Sequence, residues 1–161
     1  MCVRIELKGP RIEPLETKHH AGILAVVENL PEWFDETART RSVPTDIRHQ
    51  MGFVAIREQR VVGFITLYVA EGPMHIGWLA VDRQLHGRGI GSRLLEAAEA
   101  KARELRIDVL ATYTLGDSVA YQPYELTRRF YRKHGFKVYK RSRTDNPGCP
   151  EEIWISKQVK P

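Results

Sequence analysis

Hydrophobic positions change their period several times along this chain, and each change predicts an element. Val3-Arg4-Ile5-Glu6-Leu7 alternates with period two and predicts a first strand. Glu13 to Asn29 reads as helix: Ile23, Leu24 and Val27 share one face, and the Pro31 region ends it. Leu30-Pro31-Glu32-Trp33-Phe34 is a short aromatic-bearing loop. A second helical segment is expected from Asp35, an N-cap residue, to about Ser42, and Pro44-Thr45-Asp46 restarts a short helical turn. Phe53 to Arg57, a polar break at Glu58-Gln59-Arg60 and the run Val61 to Ala70 predict a β-hairpin. Glu71-Gly72-Pro73 turns the chain into Ile76 to Val81, a short apolar run of the kind buried on both faces of a sheet.

A glycine-rich turn follows, and then the clearest helix, Ser92 to about Leu105. Ile90, Leu94, Leu95, Ala98, Ala102 and Leu105 stripe one side, while Glu99 and Arg103 are placed to pair on the other. Ile107 to Thr114 reads as a strand, Gly116 to Pro123 as a loop, and Tyr124 to His134 as a helix closed by Gly135. Phe136 to Lys140 and Ile153 to Lys157 form two last strands around the turn-rich Asp145 to Pro150. The order β-α-α-β-β-β-α-β-α-β-β predicts one α+β domain over 1–161, a mixed central sheet flanked by helices, with no linker and no repeat.

Composition narrows the class. Of 161 residues, 42% are apolar and 28% charged, a soluble balance. The two cysteines, Cys2 and Cys149, form neither a C-x-x-C pair nor a Cys/His cluster, so neither a metal site nor a disulfide framework is expected. Cytoplasm is the default compartment. Met1 to Glu6 does not read as a signal peptide, and Val61 to Ala70 is too short to span a bilayer, so no membrane role is expected. The net charge of +5 favours anionic partners such as phosphorylated cofactors or nucleic acid. No helix-turn-helix or RNP-type motif supports a nucleic-acid function.

The candidate chemistry lies in His86-Gly87-Arg88-Gly89-Ile90-Gly91-Ser92. Alternate glycines between a buried strand and a helix let the backbone approach a ligand closely. The first turn of the helix adds free N–H groups and a positive dipole end, which suits a pyrophosphate. A dinucleotide fingerprint fails here, because the last glycine position is Ser92 or Leu94, and no P-loop ending is present.

The block resembles the acetyl-CoA loop of the GNAT superfamily of N-acetyltransferases, Q/R-x-x-G-x-G/A, with His86 in place of the usual Gln or Arg. The likeness covers essentially the whole chain and is strongest from Ile76 to Phe136. It implies that the segment Leu79-Ala80-Val81 offers backbone groups to a pantetheine arm, through Leu79 and Val81, as to an added strand. It implies that the amides from Gly87 to Ser92 hold the pyrophosphate of acetyl-CoA. Phe130-Tyr131-Arg132-Lys133-His134-Gly135-Phe136 is similar to the family's F-Y-x-x-x-G-F. By that match Tyr131 is the candidate acid for the departing thiolate, the alternative being a packed tyrosine. Tyr124 stands where many members carry Asn and is a further candidate cofactor contact.

An amine attacks only when neutral, so a base is sought. In the histone acetyltransferase branch of the family the base is a Glu near the start of the fourth strand, and the same place here is His75, whose residue type suits neutral pH, with Glu71 as the rival; other members carry the base on other strands. Trp33, Phe34 and Tyr113 are candidates for an acceptor pocket or for packing. Trp78 and Trp154 are expected to pack. The resemblance thus implies direct transfer of an acetyl group to a primary amine, of a small molecule or of a protein. The alternative is a non-catalytic acyl-CoA sensor. Many members are homodimers, but no residue here carries that to this chain.

Overall fold

The computed structural model describes residues 9–161, so the strand expected at Val3 to Leu7 lies outside the described residues. Seven strands form one sheet in the order β1-β2-β3-β4-β5-β7-β6. They are β1 (Arg11–Pro14), β2 (Met51–Arg57), β3 (Arg60–Val69), β4 (Met74–Val81), β5 (Val109–Leu115), β6 (Lys137–Arg143) and β7 (Glu151–Gln158). Helices α1 (His20–Glu28), α2 (Val43–His49), α3 (Ile90–Glu104) and α4 (Gln122–Lys133) cover its faces. Every neighbouring pair is antiparallel except β4 with β5. The sheet is therefore mixed, as the alternation of elements required.

Two apolar layers hold the sheet. On one face Leu94, Leu95 and Ala98 of α3 and Tyr131 of α4 pack on Ile65, Leu67, Ile76 and Leu110. On the other, Ile23 and Val27 of α1 and Val43 and Ile47 of α2 pack on Val54, Phe64 and Ala80. Leu94 is wholly buried, and truncating such a leucine to Ala costs about 2–5 kcal/mol.

Four local expectations are corrected. Glu13 does not open a helix. Arg11 to Pro14 pair with Phe53 to Ile56 as an edge strand that ends at a proline, and α1 begins at His20. The two segments near Ser42 are one helical run, with Ala38–Ser42 in π form. Pro44 has no N–H to give its preceding turn, and the widened turn absorbs that loss. The Asp35 cap is present, accepting from the Ala38 amide at 2.7 Å. Glu99 does not pair with Arg103. Lys157 of β7 reaches Glu99 at 2.6 Å with both side chains only 20% exposed, and the less screened partner wins. Leu105 ends half-exposed, because the chain leaves the helix there through Arg106 at φ 58°.

Candidate active site

The site begins where β4 and β5 part. Their ladder holds only Met74 with Leu110 and His75 with Ala111. Beyond it the Thr112 hydroxyl donates to the Ile76 carbonyl at 3.1 Å, and the strands then diverge. A bulge in β4 sits at the same place, since the register with β3 shifts between Ile65 and Leu67. Past the bulge, Asp82 N bonds Val62 O at 2.8 Å, so the backbone groups of Asp82 and Ala80 face β3. By alternation those of Leu79 and Val81 face the opening. Ala80 is thus engaged with β3, opposite Phe64, and offers no free edge.

The opening leads into a cleft of about 470 Å³ lined by Leu79, Val81, Gly89, Ser92, Phe130 and Tyr131, among others. The first turn of α3 forms its end. Gly89, in the N-cap position at φ 80°, receives no side-chain cap. Among the described residues no protein acceptor takes the amides from Gly87 to Ser92. A side chain at Gly91 would meet the Phe130 ring at 3.3 Å, so glycine there lets α3 and α4 approach around the turn. Free donors, a positive helix end and an adjoining apolar channel make a place for an anion carrying a long arm.

His86 lies at this mouth, with Nε2–H donating to Val81 O at 2.7 Å and its ring edge-on to Trp33 at 5.7 Å. One of the two strand carbonyls facing the cleft is therefore already in use. Ser92 donates its hydroxyl to His134 Nε2 at 2.8 Å, because His134 Nδ1–H is given to Phe130 O, also at 2.8 Å.

Tyr131 lies 6% exposed between Phe130 and Phe136. Burial pushes its phenol well above the ordinary tyrosine range, opposed only weakly by the neighbouring Thr112 hydroxyl, whose own proton goes to Ile76 O. It is held neutral, as a donor. Full proton transfer to a thiolate, whose thiol lies near 8.5, is uphill for such a group, so its chemistry is hydrogen bonding to charge as it develops. Tyr124 does not line the cleft; its hydroxyl donates to Trp33 O at 3.0 Å, and burial first, then the charge of Cys149, push its phenol up to about 12.

That last bond belongs to a strap the sequence did not reveal. Trp33 Nε1 donates to Pro123 O at 3.1 Å and to Thr127 Oγ1 at 3.2 Å, and Tyr121 donates to Glu32 O at 3.0 Å. Arg83 holds the same loop through Asn29 O and the Glu32 carboxylate. The α1–α2 loop is thereby tied to α4 and roofs the cleft. Trp33 lines it with Phe34, which also packs on Trp78 at 5.5 Å.

His75 is not in the cleft. It stands at the last rung of the β4–β5 ladder, on the opposite sheet face, stacked on Tyr68 at 5.1 Å. Its Nε2–H donates to Ala70 O at 3.2 Å, which leaves Nδ1 a bare lone pair, buried without a partner. Glu71 occupies an exposed turn at φ 55°. On this second face lie residues that sequence reading passed over. Asp46 of α2 accepts from Trp78 Nε1 at 2.7 Å, and Gln50, one turn on, sets its amide oxygen beside Gly77 at the β4 bulge. Tyr113 remains 49% exposed against Trp154, at 4.9 Å. Their only sequence signal was position, since Asp46 and Gln50 share one face of a short helix end.

Residues 48–138 match the family model described as an acetyltransferase (GNAT) domain. Comparison with curated protein sequences gives no match. Among solved structures, a protein described as a GNAT-family acetyltransferase from Desulfovibrio desulfuricans superposes with TM-score 0.80 at 20% identity, over 94% of this chain and 99% of that one. The ribosomal-protein-S18-alanine N-acetyltransferase of Escherichia coli gives TM-score 0.74 at 15% identity, over 94% and 95%. An aminoglycoside 6'-N-acetyltransferase in complex with coenzyme A gives 0.73 at 17%, over 94% and 98%. At such identities these likenesses concern the fold.

Proposed function

The chain belongs to the GNAT acetyltransferase family, and from that premise we propose that it passes an acetyl group from acetyl-CoA directly to a primary amine. Acetyl-CoA is the cosubstrate that fold and family imply. One observation carries the reading: the β4–β5 ladder stops at His75 and Ala111, and the opened strand edge runs straight to uncapped amides at α3. A peptide-like pantetheine arm fits such an edge, through Leu79 and Val81. A pyrophosphate fits the amides of Gly87 to Ser92, joined by the turn residues Arg88 and Ile90.

In the proposed transfer the amine nitrogen attacks the thioester carbonyl. A C–N bond forms, the C–S bond breaks, and the thiolate leaves. Tyr131 donates a hydrogen bond to the sulfur as its charge grows. His75 Nδ1 takes the proton lost by the amine, which approaches from the α2 face of the sheet. His86 and Tyr124 shape the cofactor's surroundings: His86 through Val81 O, and Tyr124 by holding the Trp33 strap.

The test is thermal denaturation with acetyl-CoA followed by thiol release over an amine panel. Ligand at about 100 times its Kd stabilises by roughly 2.7 kcal/mol. A melting shift with amine-dependent thiol release is the expected outcome. A shift without release on any amine would turn the reading to a sensor, and no shift at millimolar acetyl-CoA would end both.

A further inference from the structure

The second face of the opening has a chemistry of its own. Along β5 and β7, Leu110, Ile153 and Ile155 turn into the α3–α4 layer. Alternation therefore sends Tyr113, Glu152 and Trp154 to the other side, with Tyr68 and His75. There Tyr68 stacks on His75, and Tyr113 leans on Trp154, so two aromatic pairs flank the last β4–β5 rung. This platform already carries one ammonium: Lys140 Nζ lies 5.5 Å from the Trp154 ring centroid.

Two carboxylates border it. Asp46 accepts only from the neutral Trp78 indole. Among the described residues neither Asp46 nor Glu152 has an ion-pair partner; nearby Arg141 is held by Asp117 and Glu151. Glu152 shares this face with Trp154 by alternation, and the Tyr113 phenol is raised first by burial and then by the charges of Glu152, Tyr68, Cys149 and Asp46. Apart from Lys140 over the Trp154 ring, no cation offsets these two carboxylates by an ion pair among the described residues, a local exception in a chain of net charge +5.

We propose that the acceptor is a small aliphatic amine bearing a second positive charge, seated on the Tyr113–Trp154 platform with its second ammonium facing Asp46 and Glu152. This rests on the acetyl-transfer reading and adds the substrate class. Cation–π contact and partly buried charge both favour an alkylammonium over a neutral chain of equal length.

The experiment compares n-butylamine with 1,4-diaminobutane, the same four-carbon chain without and with a second ammonium. Thiol release is followed with acetyl-CoA at fixed pH. The expected kcat/KM favours the diamine by about tenfold or more, and the preference shrinks as salt rises. In Asp46→Asn, in Glu152→Gln and in their combination the diamine-to-monoamine ratio falls toward one. A ratio is read within one protein, so partial loss of folded enzyme does not affect it. Equal kcat/KM for both amines in the unaltered protein, or a ratio unmoved in the double variant, overturns this substrate class and leaves acetyl transfer standing. No thiol release with either amine or with any of the panel overturns both.

Discussion

His86 and Val81 are joined across the mouth of the cleft, the imidazole Nε2–H giving its proton to the strand carbonyl at 2.7 Å. The Val81 carbonyl is also where a pantetheine amide would bond. Arrival of the arm displaces the imidazole or shares the oxygen with it, and a hydrogen bond of this kind contributes about 0.5–1.5 kcal/mol. His86→Ala is therefore expected to tighten coenzyme A binding by a few-fold to about tenfold in calorimetry. A weaker complex would instead show that the imidazole holds the cofactor.

The turn itself makes a harder demand. Gly89 sits at φ 80° in N-cap position, a left-handed conformation that costs an L-residue roughly 1–2 kcal/mol. Nothing lies within 4 Å of the position a Cβ would take, so the cost is conformational rather than steric crowding. Gly89→Ala should lower the unfolding free energy by about that amount. If the turn relaxes away from the left-handed form, the amides no longer converge, and the melting shift given by acetyl-CoA should shrink as well. An unchanged shift would place the phosphates elsewhere.

How much of this was legible in the sequence depended on the range of the contact. The hairpin of β2 and β3, the helix α3 and the closing Gly135 at φ 87° were readable, because period, turn residues and caps are local properties. The cleft was readable for the same reason: strand, glycines and helix are contiguous from Ile76 to Leu105. β1 was not, since four residues ending in Pro14 carry too little alternation to outweigh the helical stretch behind them. The strap was invisible because Trp33 meets Pro123 and Thr127 from some ninety positions away. Likewise Tyr113, His75 and Asp46 share a face only after three separate elements have packed. Residue type alone gave Tyr131 its candidacy but not its burial, and burial is what makes it a neutral donor.

Tyr131→Phe removes one hydroxyl from a buried ring and little else. Turnover should fall about 100-fold, as for loss of one hydrogen-bond donor to developing charge, while coenzyme A affinity stays within about twofold. A rate equal to the unaltered protein's would assign the ring to packing between Phe130 and Phe136. His75→Gln retains an amide that can still donate to Ala70 O but lacks the basic lone pair of Nδ1. Its kcat/KM should fall while coenzyme A affinity is unchanged. An unaltered kcat/KM would mean that the proton goes to another group.

Alkaline stability tests the strap without any ligand. Tyr124 is pushed up to about 12 in the folded protein, against about 10 in an unfolded chain. A raised folded value means that stability is complete below pH 10. Above it the unfolded chain sheds a proton that the folded one keeps, so stability is lost progressively from pH 10 to about 12. Two units correspond to a loss on the order of 2–3 kcal/mol. Tyr131, also raised by burial, adds to the loss in the same direction. In Tyr124→Phe the bond to Trp33 O is gone, and neutral-pH stability should drop by about 1 kcal/mol. The variant lacks the ionisable phenol, however, so its stability should decline less steeply above pH 10, and the two denaturation curves should converge near pH 11. Parallel curves throughout that range would mean that the Tyr124 hydroxyl meets water in the folded state, and that the loop bearing Trp33 is not held down on α4.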